Sequence, residues 1–249
     1  AAPGLLSSYA EPRLIAMSNL GSVSLCMTGL EAGLGSTQVK QLRLFYPRYM
    51  TGFDLEQVRI DPSWTDLAGL SLPLHFSASE YGGSLKGAIA LPLLLGKSGA
   101  EISLRNIDLA SHPQLQGLGV ASGKLSADLS NVSLEPGLLP DGLLAIELTG
   151  FSIPRATALP PELTGQSILI PRVTDLSLSM ASRLKGGILT ISNLVSASHF
   201  GAMKGSGTIN FGSDNKVSAY DLQFELRPTA EGSALLTLLK TQLPGSQPS

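Results

Sequence analysis

Residues 123–129 read Gly-Lys-Leu-Ser-Ala-Asp-Leu, and this stretch decides the fold class. Its apolar members, Leu125, Ala127 and Leu129, alternate with polar side chains. A period of two places successive side chains on opposite faces of a β-strand. The stretch therefore predicts a half-buried strand with one apolar and one polar face.

The same alternation recurs along most of the chain, and turn-forming residues separate its segments, since the chain has 27 Gly and 16 Pro. Tyr81-Gly82-Gly83 is typical of a hairpin turn. After Leu104 the apolar parity switches at Ile107, which predicts a β-bulge near Asn106. The other alternating segments are 72–78, 85–91, 144–148, 176–180, 209–211 and 222–226.

A sheet with one apolar face has to cover that face with a second sheet, by curling on itself, or with an apolar ligand or partner. A closed core and an open half-barrel both satisfy this requirement. We predict an all-β chain: one long twisted, mostly antiparallel sheet curled into a half-barrel. Short helical caps are expected at 8–20 and 233–243, and loops or single helical turns at 111–118 and 158–165. Strand content should exceed ~40% and helix content should stay below ~20%.

The composition argues against several classes of partner. Charged residues make up 14% of the chain, against about 25% in ordinary soluble domains. With 17 Lys and Arg, a net charge of -2 and no basic cluster, we expect no nucleic-acid binding. No apolar run approaches the ~18 residues of a membrane span, because Pro92 and Gly96 interrupt the longest one.

The search for chemistry finds no catalytic constellation. There is no Gly-x-Ser-x-Gly motif, and His75, His112 and His199 stand alone, so each is expected to be a surface histidine. Cys26 is the only cysteine, which excludes an intramolecular disulfide, and we expect it to be a small buried side chain. We therefore predict no enzyme activity, no metal and no cofactor.

The strand pattern also predicts which side chains face the interior and which strands lie at the edges of the sheet. The outward-facing residues next to the interior ones are expected to be Lys124, Asp128, Glu147 and Ser179. A meander places its first and last strands at the two ends, where Gln223→Pro should remove a ladder donor from a free edge. The candidate interior or groove residues are Leu125, Leu129, Ile146, Leu148, Leu178 and Phe211, and the candidate edge residues are Val23, Leu25, Leu222, Gln223 and Phe224.

Between about 50 and 230 the chain resembles the type II secretion system protein N family (GspN). The likeness follows the order and gaps of the motifs, with His112 as a departure before the family's proline. The matching runs are Gly82-Gly83-Ser84-Leu85-Lys86-Gly87, Ile107-Asp108-Leu109, Pro113-Gln114-Leu115, residues 123–129, Gly186-Gly187-Ile188-Leu189-Thr190-Ile191 and Gly205-Ser206-Gly207-Thr208-Ile209.

The resemblance implies a non-enzymatic accessory component of the bacterial type II protein secretion system that acts by protein–protein interaction. It implies a single periplasmic β domain over 1–249, tethered to the inner membrane by an N-terminal helix that is not part of this sequence. The implied partners are other secretion components, the inner-membrane platform or the secretin, with self-association as a further expectation. The sheet pattern is also similar to AsmA-like and lipid-bridging proteins, so the alternative is a periplasmic lipid-binding protein.

Overall fold

The structure is a computed structural model that describes residues 24–33, 35–46, 51–64, 71–92, 98–133, 141–159, 168–212 and 217–234. Strand accounts for 78% of it, and the helices are two short ones. The prediction of an all-β chain is therefore confirmed, because strand is far above, and helix far below, the proportions of an average globular protein.

Within these residues the chain forms fourteen strands and two complete short helical segments, and residues 230–234 are helical as well. The strands are β1 Ser24–Ala32, β2 Thr37–Tyr46, β3 Thr51–Pro62, β4 Ser71–Glu80, β5 Gly83–Pro92, β6 Gly99–Asp108, β7 Ser122–Ser133, β8 Asp141–Ile153, β9 Thr157–Leu159, β10 Ile168–Ile170, β11 Val173–Lys185, β12 Ile188–Ser198, β13 Gly201–Phe211 and β14 Val217–Pro228. The helical segments are a 3-10 turn, Leu109–Ser111, and α1, Pro113–Gly117.

Twelve of the strands form one antiparallel sheet in the order β1-β2-β3-β4-β5-β6-β7-β8-β11-β12-β13-β14. The strands β9 and β10 pair only with each other, between β8 and β11 in the sequence. The sheet curls but does not close into a barrel, as predicted, and β1 and β14 are its terminal strands.

Local sequence explains one hairpin turn and one irregularity in the sheet. Tyr81 and Gly82 have φ values of 41° and 72° and join β4 to β5, which confirms the predicted hairpin turn. Asn106 has a φ of 54°, and the register between β6 and β7 shifts between Leu104 and Ile107. The predicted bulge is therefore confirmed.

The connection from β6 to β7 is a pair of single helical turns, as expected for 111–118. The Asp108 carboxylate accepts hydrogen bonds from the Ala110 N–H (3.0 Å) and the Ser111 hydroxyl (2.7 Å), which begins the 3-10 turn. Pro113 occupies the first turn of α1. Of the region 158–165 only β9 is described. The cap expected at 8–20 lies outside the described residues. The one expected at 233–243 is described only to 234, and residues 230–234 are helical.

The sheet has a small buried core in its first part. Val39, Leu55, Val58 and Ala78 form a buried cluster on one face of β2, β3 and β4, with Met27, Leu30, Leu42, Leu44, Ile60 and Leu85 packed against it. Cys26, predicted to be buried, is exposed. It lies in a terminal strand opposite Arg43, on the face away from this cluster.

Candidate functional site

The second part of the sheet carries a continuous apolar face. Directly opposite residues of antiparallel strands point to the same side of a sheet, so the register defines rows of neighbouring side chains. The rows are Leu125, Leu148, Leu178, Ser196, Met203, Leu226; then Ala127, Ile146, Met180, Leu194, Gly205, Phe224; then Leu129, Leu144, Ser182, Ile191, Gly207, Leu222; and Gly142, Leu184, Leu189, Ile209, Tyr220. We call the face formed by these rows the apolar trough.

No charged side chain belongs to the apolar trough. The charged residues of the same strands lie on the opposite face, where Arg105 and Asp128 form an ion pair at 2.7 Å. The hydroxyl of Ser103 and the guanidinium of Arg105 hold the pKa of Asp128 below its ordinary value. Glu147 is exposed on that face, opposite Ser179. The two faces are therefore chemically distinct.

The apolar trough is only half-buried, unlike the cluster around Leu55. Its members on β7, β8, β11, β12 and β13 keep intermediate exposure, apart from the buried Ser182, and those at 220, 224 and 226 on β14 are exposed. In the part of the chain that the structure describes, the strands contact their neighbours in the sheet and no second layer covers this face.

The candidate interior residues all lie in this half of the sheet. Leu148 lies opposite Leu125 on one side and opposite Leu178 on the other. Ile146 and Leu129 lie in the two neighbouring rows of the trough. Phe211 is half-buried but lies apart from them, at the far end of β13 beside Gly187, to whose carbonyl its N–H donates.

The candidate edge residues lie in the terminal strands. Leu25 belongs to β1, and Leu222, Gln223 and Phe224 belong to β14. Val23 lies outside the described residues.

One end of the trough deepens into a pocket beside the β12–β13 turn. It has a volume of about 190 Å³ and lies between β12, β13, β14 and the turn that follows β14. The side chains of Phe200, Met203, Leu226 and Pro228 give it a largely apolar lining.

A buried carboxyl group that the sequence analysis missed lies at the end of β4. Glu80 is 5% exposed, on the same face as Phe76 and Ala78, and its Oε1 has no hydrogen-bond partner. Burial, with a smaller contribution from the nearby Asp54 carboxylate, raises the pKa of Glu80 to about 7. Extending the alternation of β4 by one step would have placed it on the apolar face.

Two of the three histidines, predicted to lie on the surface, are partly buried. The His112 ring packs at 5.0 Å against that of Tyr81, and its Nδ1 is buried without a partner. His199 accepts a hydrogen bond at Nδ1 from the Thr174 N–H (3.1 Å) and stacks on Phe200. Both occupy connections folded against the strand ends, which alternation does not reveal. His75 is exposed, as predicted.

Among the described residues there is no group of three or more His, Cys, Asp or Glu side chains arranged to hold a metal ion. The same residues include no helix long and apolar enough to cross a membrane.

Comparison with known proteins found no similar protein. No protein-family model matches the chain, and no curated protein and no solved structure matches it.

Proposed function

We propose that this chain is a non-enzymatic accessory component of the bacterial type II protein secretion system, related to the protein N family, that acts by protein–protein interaction in the periplasm. The positions of the matching motifs support this assignment. The Gly-Gly-x-Leu run begins β5 at Gly83, the Ile-Asp run ends β6 at Asp108, and the family's proline begins α1 at Pro113.

The observation that carries a binding role is the apolar trough. Its rows cross six strands without a charge, stay half-exposed, and lie on one curled layer of sheet. A surface of this kind is large enough to receive an apolar segment of a partner, and exposed apolar faces mark interaction sites. We therefore place the contact with the inner-membrane platform or the secretin in the trough.

Two substitutions at adjacent positions test this role. Leu148→Lys puts a charge into the trough, while Glu147→Lys puts the same charge on the opposite, exposed face of the same strand. The variants are expressed in the native bacterium in place of the wild-type protein. Captured secretion components are then identified by mass spectrometry, and the secreted enzymes are assayed.

We expect Leu148→Lys to lose the captured components and Glu147→Lys to keep them. Circular dichroism of both purified variants checks that each keeps its sheet. Normal secretion after deletion of the gene, with no secretion component captured by the wild-type protein, contradicts the proposal.

A periplasmic lipid-binding or lipid-bridging role is the second candidate, favoured by a specific observation. The trough offers side chains of Leu, Ile, Met and Phe, and its polar groups are the hydroxyls of Ser182, Ser196 and Tyr220. It ends in the apolar pocket of about 190 Å³. Such a lining suits acyl chains, because they have no polar group that needs a partner.

Native mass spectrometry of protein purified without detergent, followed by lipid extraction, separates the two candidates. Bound phospholipid that disappears in Leu148→Lys and persists in Glu147→Lys supports the lipid role. Protein free of lipid that still captures secretion components supports the first candidate.

The proposed location is the periplasm, with a tether to the inner membrane as the resemblance implies. Fractionation of cells that produce the full-length protein tests the location: release with the cytoplasmic fraction contradicts it.

A further inference from the structure

The strand β14 presents an unpaired edge with an unusually exposed apolar row. It is the last strand of the sheet, and no described strand pairs with its outer edge. Tyr220, Phe224 and Leu226 point to the trough side and are 74%, 52% and 51% exposed. Edge strands of soluble proteins are usually protected by Lys, Pro or a bulge. In β14 the register shift and Pro228 lie at the two ends, and residues 219–227 between them contain neither Lys nor Pro.

The ladder between β13 and β14 shows which backbone groups of this edge are free. The Thr229 N–H donates to the Phe200 carbonyl (2.9 Å), and the register then runs without a shift from Pro228 to Ala219. In an antiparallel pair, hydrogen-bonded and non-hydrogen-bonded positions alternate. Between 219 and 228 the odd-numbered residues of β14 therefore bond to β13, and the even-numbered ones direct their main-chain polar groups outward.

The close contacts of the β13 glycines agree with this assignment. The carbonyl oxygens of Asp221 and Arg227 lie against Gly207 and Gly201 of β13. The outward-facing N–H groups in the middle of the edge are thus those of Leu222 and Phe224, whereas the Gln223 N–H faces β13. A proline at position 222, and not at 223, is therefore the substitution that removes an outward-facing N–H from this edge.

We propose that β14 pairs with β14 of a second copy of this chain, antiparallel, about a two-fold axis at Leu222. The pairing joins the two sheets and continues their apolar troughs. Tyr220, Leu222 and Phe224 each bring a free N–H and C=O, which gives about six main-chain hydrogen bonds across the axis. This proposal depends on the edge alone and not on the proposed function.

The side chains favour this register over its neighbours. With Leu222 on the axis, Tyr220 faces Phe224 twice on the trough side, and aromatic cross-strand pairs are stabilising. On the other side Asp221 faces Gln223, and Ala219 faces Glu225. A two-fold axis at Gln223 would instead place Asp221 opposite Glu225, and these two side chains carry like charges. Centring on Phe224 brings Pro228, which has no N–H, into the ladder.

The opposite edge of the sheet is less suited to such pairing. In β1, Gly29 has a φ of 67°, and the register with β2 is the same on both sides of it. Met27 and Leu30 of β1 already pack against the buried cluster around Val39. A head-to-tail chain of copies, β14 against β1, is thus disfavoured relative to the symmetric pair.

Sedimentation of the complete chain at roughly 1 to 100 μM measures the assembly. We expect a monomer–dimer equilibrium with no larger species. Leu222→Pro should weaken dimerisation at least tenfold and leave the circular dichroism spectrum unchanged, because its N–H faces outward. Gln223→Pro is the matched control that should lower the melting temperature, because its N–H bonds to β13. A monomeric wild type at 100 μM, a series of ever larger oligomers, or a Leu222→Pro variant that is unfolded or still dimeric overturns the proposal.

Cysteine cross-linking tests the register without a proline. In a Cys26→Ser background, Leu222→Cys places two thiols opposite each other at the axis, within the Cα separation that a disulfide allows. We expect a covalent dimer under mild oxidation from Leu222→Cys and none from Gln223→Cys or Phe224→Cys. Cross-linking at 223 or 224 in place of 222 overturns the proposed pairing.

Discussion

Leu148 and Leu178 face each other across the ladder between β8 and β11, and both remain partly open to solvent. Leu55 in β3, by contrast, is 7% exposed and belongs to the buried cluster. The same apolar face is thus packed in the first strands and half-open in the later ones.

This difference predicts unequal costs for one substitution at two positions. Leu148→Ala removes a side chain that is only partly withdrawn from water, so its expected cost is about 1–2 kcal/mol of unfolding free energy. Leu55→Ala removes a buried one and should cost about 2–5 kcal/mol. Urea unfolding of the two variants measures both values. Equal costs would mean that the trough around Leu148 is packed as tightly as the buried cluster.

The buried Glu80 predicts a stability that falls as pH rises. Its pKa is raised from about 4.5 to about 7 in the folded chain, so between these values the folded state binds the proton that the unfolded state has released. This contribution to the unfolding free energy is at most about 3 kcal/mol. It is fully present below about pH 4.5 and is lost as pH rises through 7. Chemical unfolding at several pH values measures it.

Glu80→Gln should remove this fall of the unfolding free energy with pH and make the variant more stable than the wild type at pH 8. The Asp54 carboxylate and the Tyr81 phenol lie near Glu80, and burial, with contributions from Asp54 and Glu80, raises the pKa of Tyr81 above its ordinary value. Glu147→Gln, on the exposed face of β8, is the control and should keep the wild-type slope. An unchanged slope in Glu80→Gln contradicts the raised pKa.

Alternation predicted the fold well where strands are regular, as at 123–129, and its one break in parity located the bulge at Asn106. It missed β3 as a strand, because Leu55 and Val58 are three residues apart and yet share the buried cluster. Gln57 between them has a φ of 50°, which returns the chain to the same face. A bulge inside a strand interrupts the period of two.

Other features of the site depend on neighbours that a pattern within one strand does not contain. The exposure of Cys26 follows from its place in a terminal strand. The direction of the Gln223 N–H follows from the ladder with β13, since side-chain alternation fixes faces and not hydrogen-bonded edges.

Asn106 should tolerate glycine but not a β-branched residue. Its φ of 54° is a conformation that Gly and Asn adopt readily and Val does not, while its N–H donates to the Ser126 hydroxyl (3.1 Å) in any of these residues. We expect Asn106→Gly to change the unfolding free energy by less than about 1 kcal/mol and Asn106→Val to cost about 1–3 kcal/mol. Glu147→Val, at an ordinary strand position, is the control and should cost less than about 0.5 kcal/mol. Equal stabilities of the Val and Gly variants at 106 would contradict the bulge.

Substitution by alanine should cost more stability at Gly207 than at Gly150, although both glycines have a positive φ. Its φ is 147°, and a Cβ there would collide with the Asp221 carbonyl oxygen and lie 2.8 Å from the Leu222 Cα, both parts of the β14 backbone. Gly150 has a φ of 60° and no atom within 4 Å of the same added Cβ, so it isolates the backbone strain. We expect Gly150→Ala to cost about 1 kcal/mol and Gly207→Ala about 2–4 kcal/mol. Hydrogen exchange should also show faster exchange of the β14 amides in Gly207→Ala alone, because the clash pushes β14 away from β13. Equal costs, with β14 exchange unchanged, would show that the two strands do not approach this closely at Gly207.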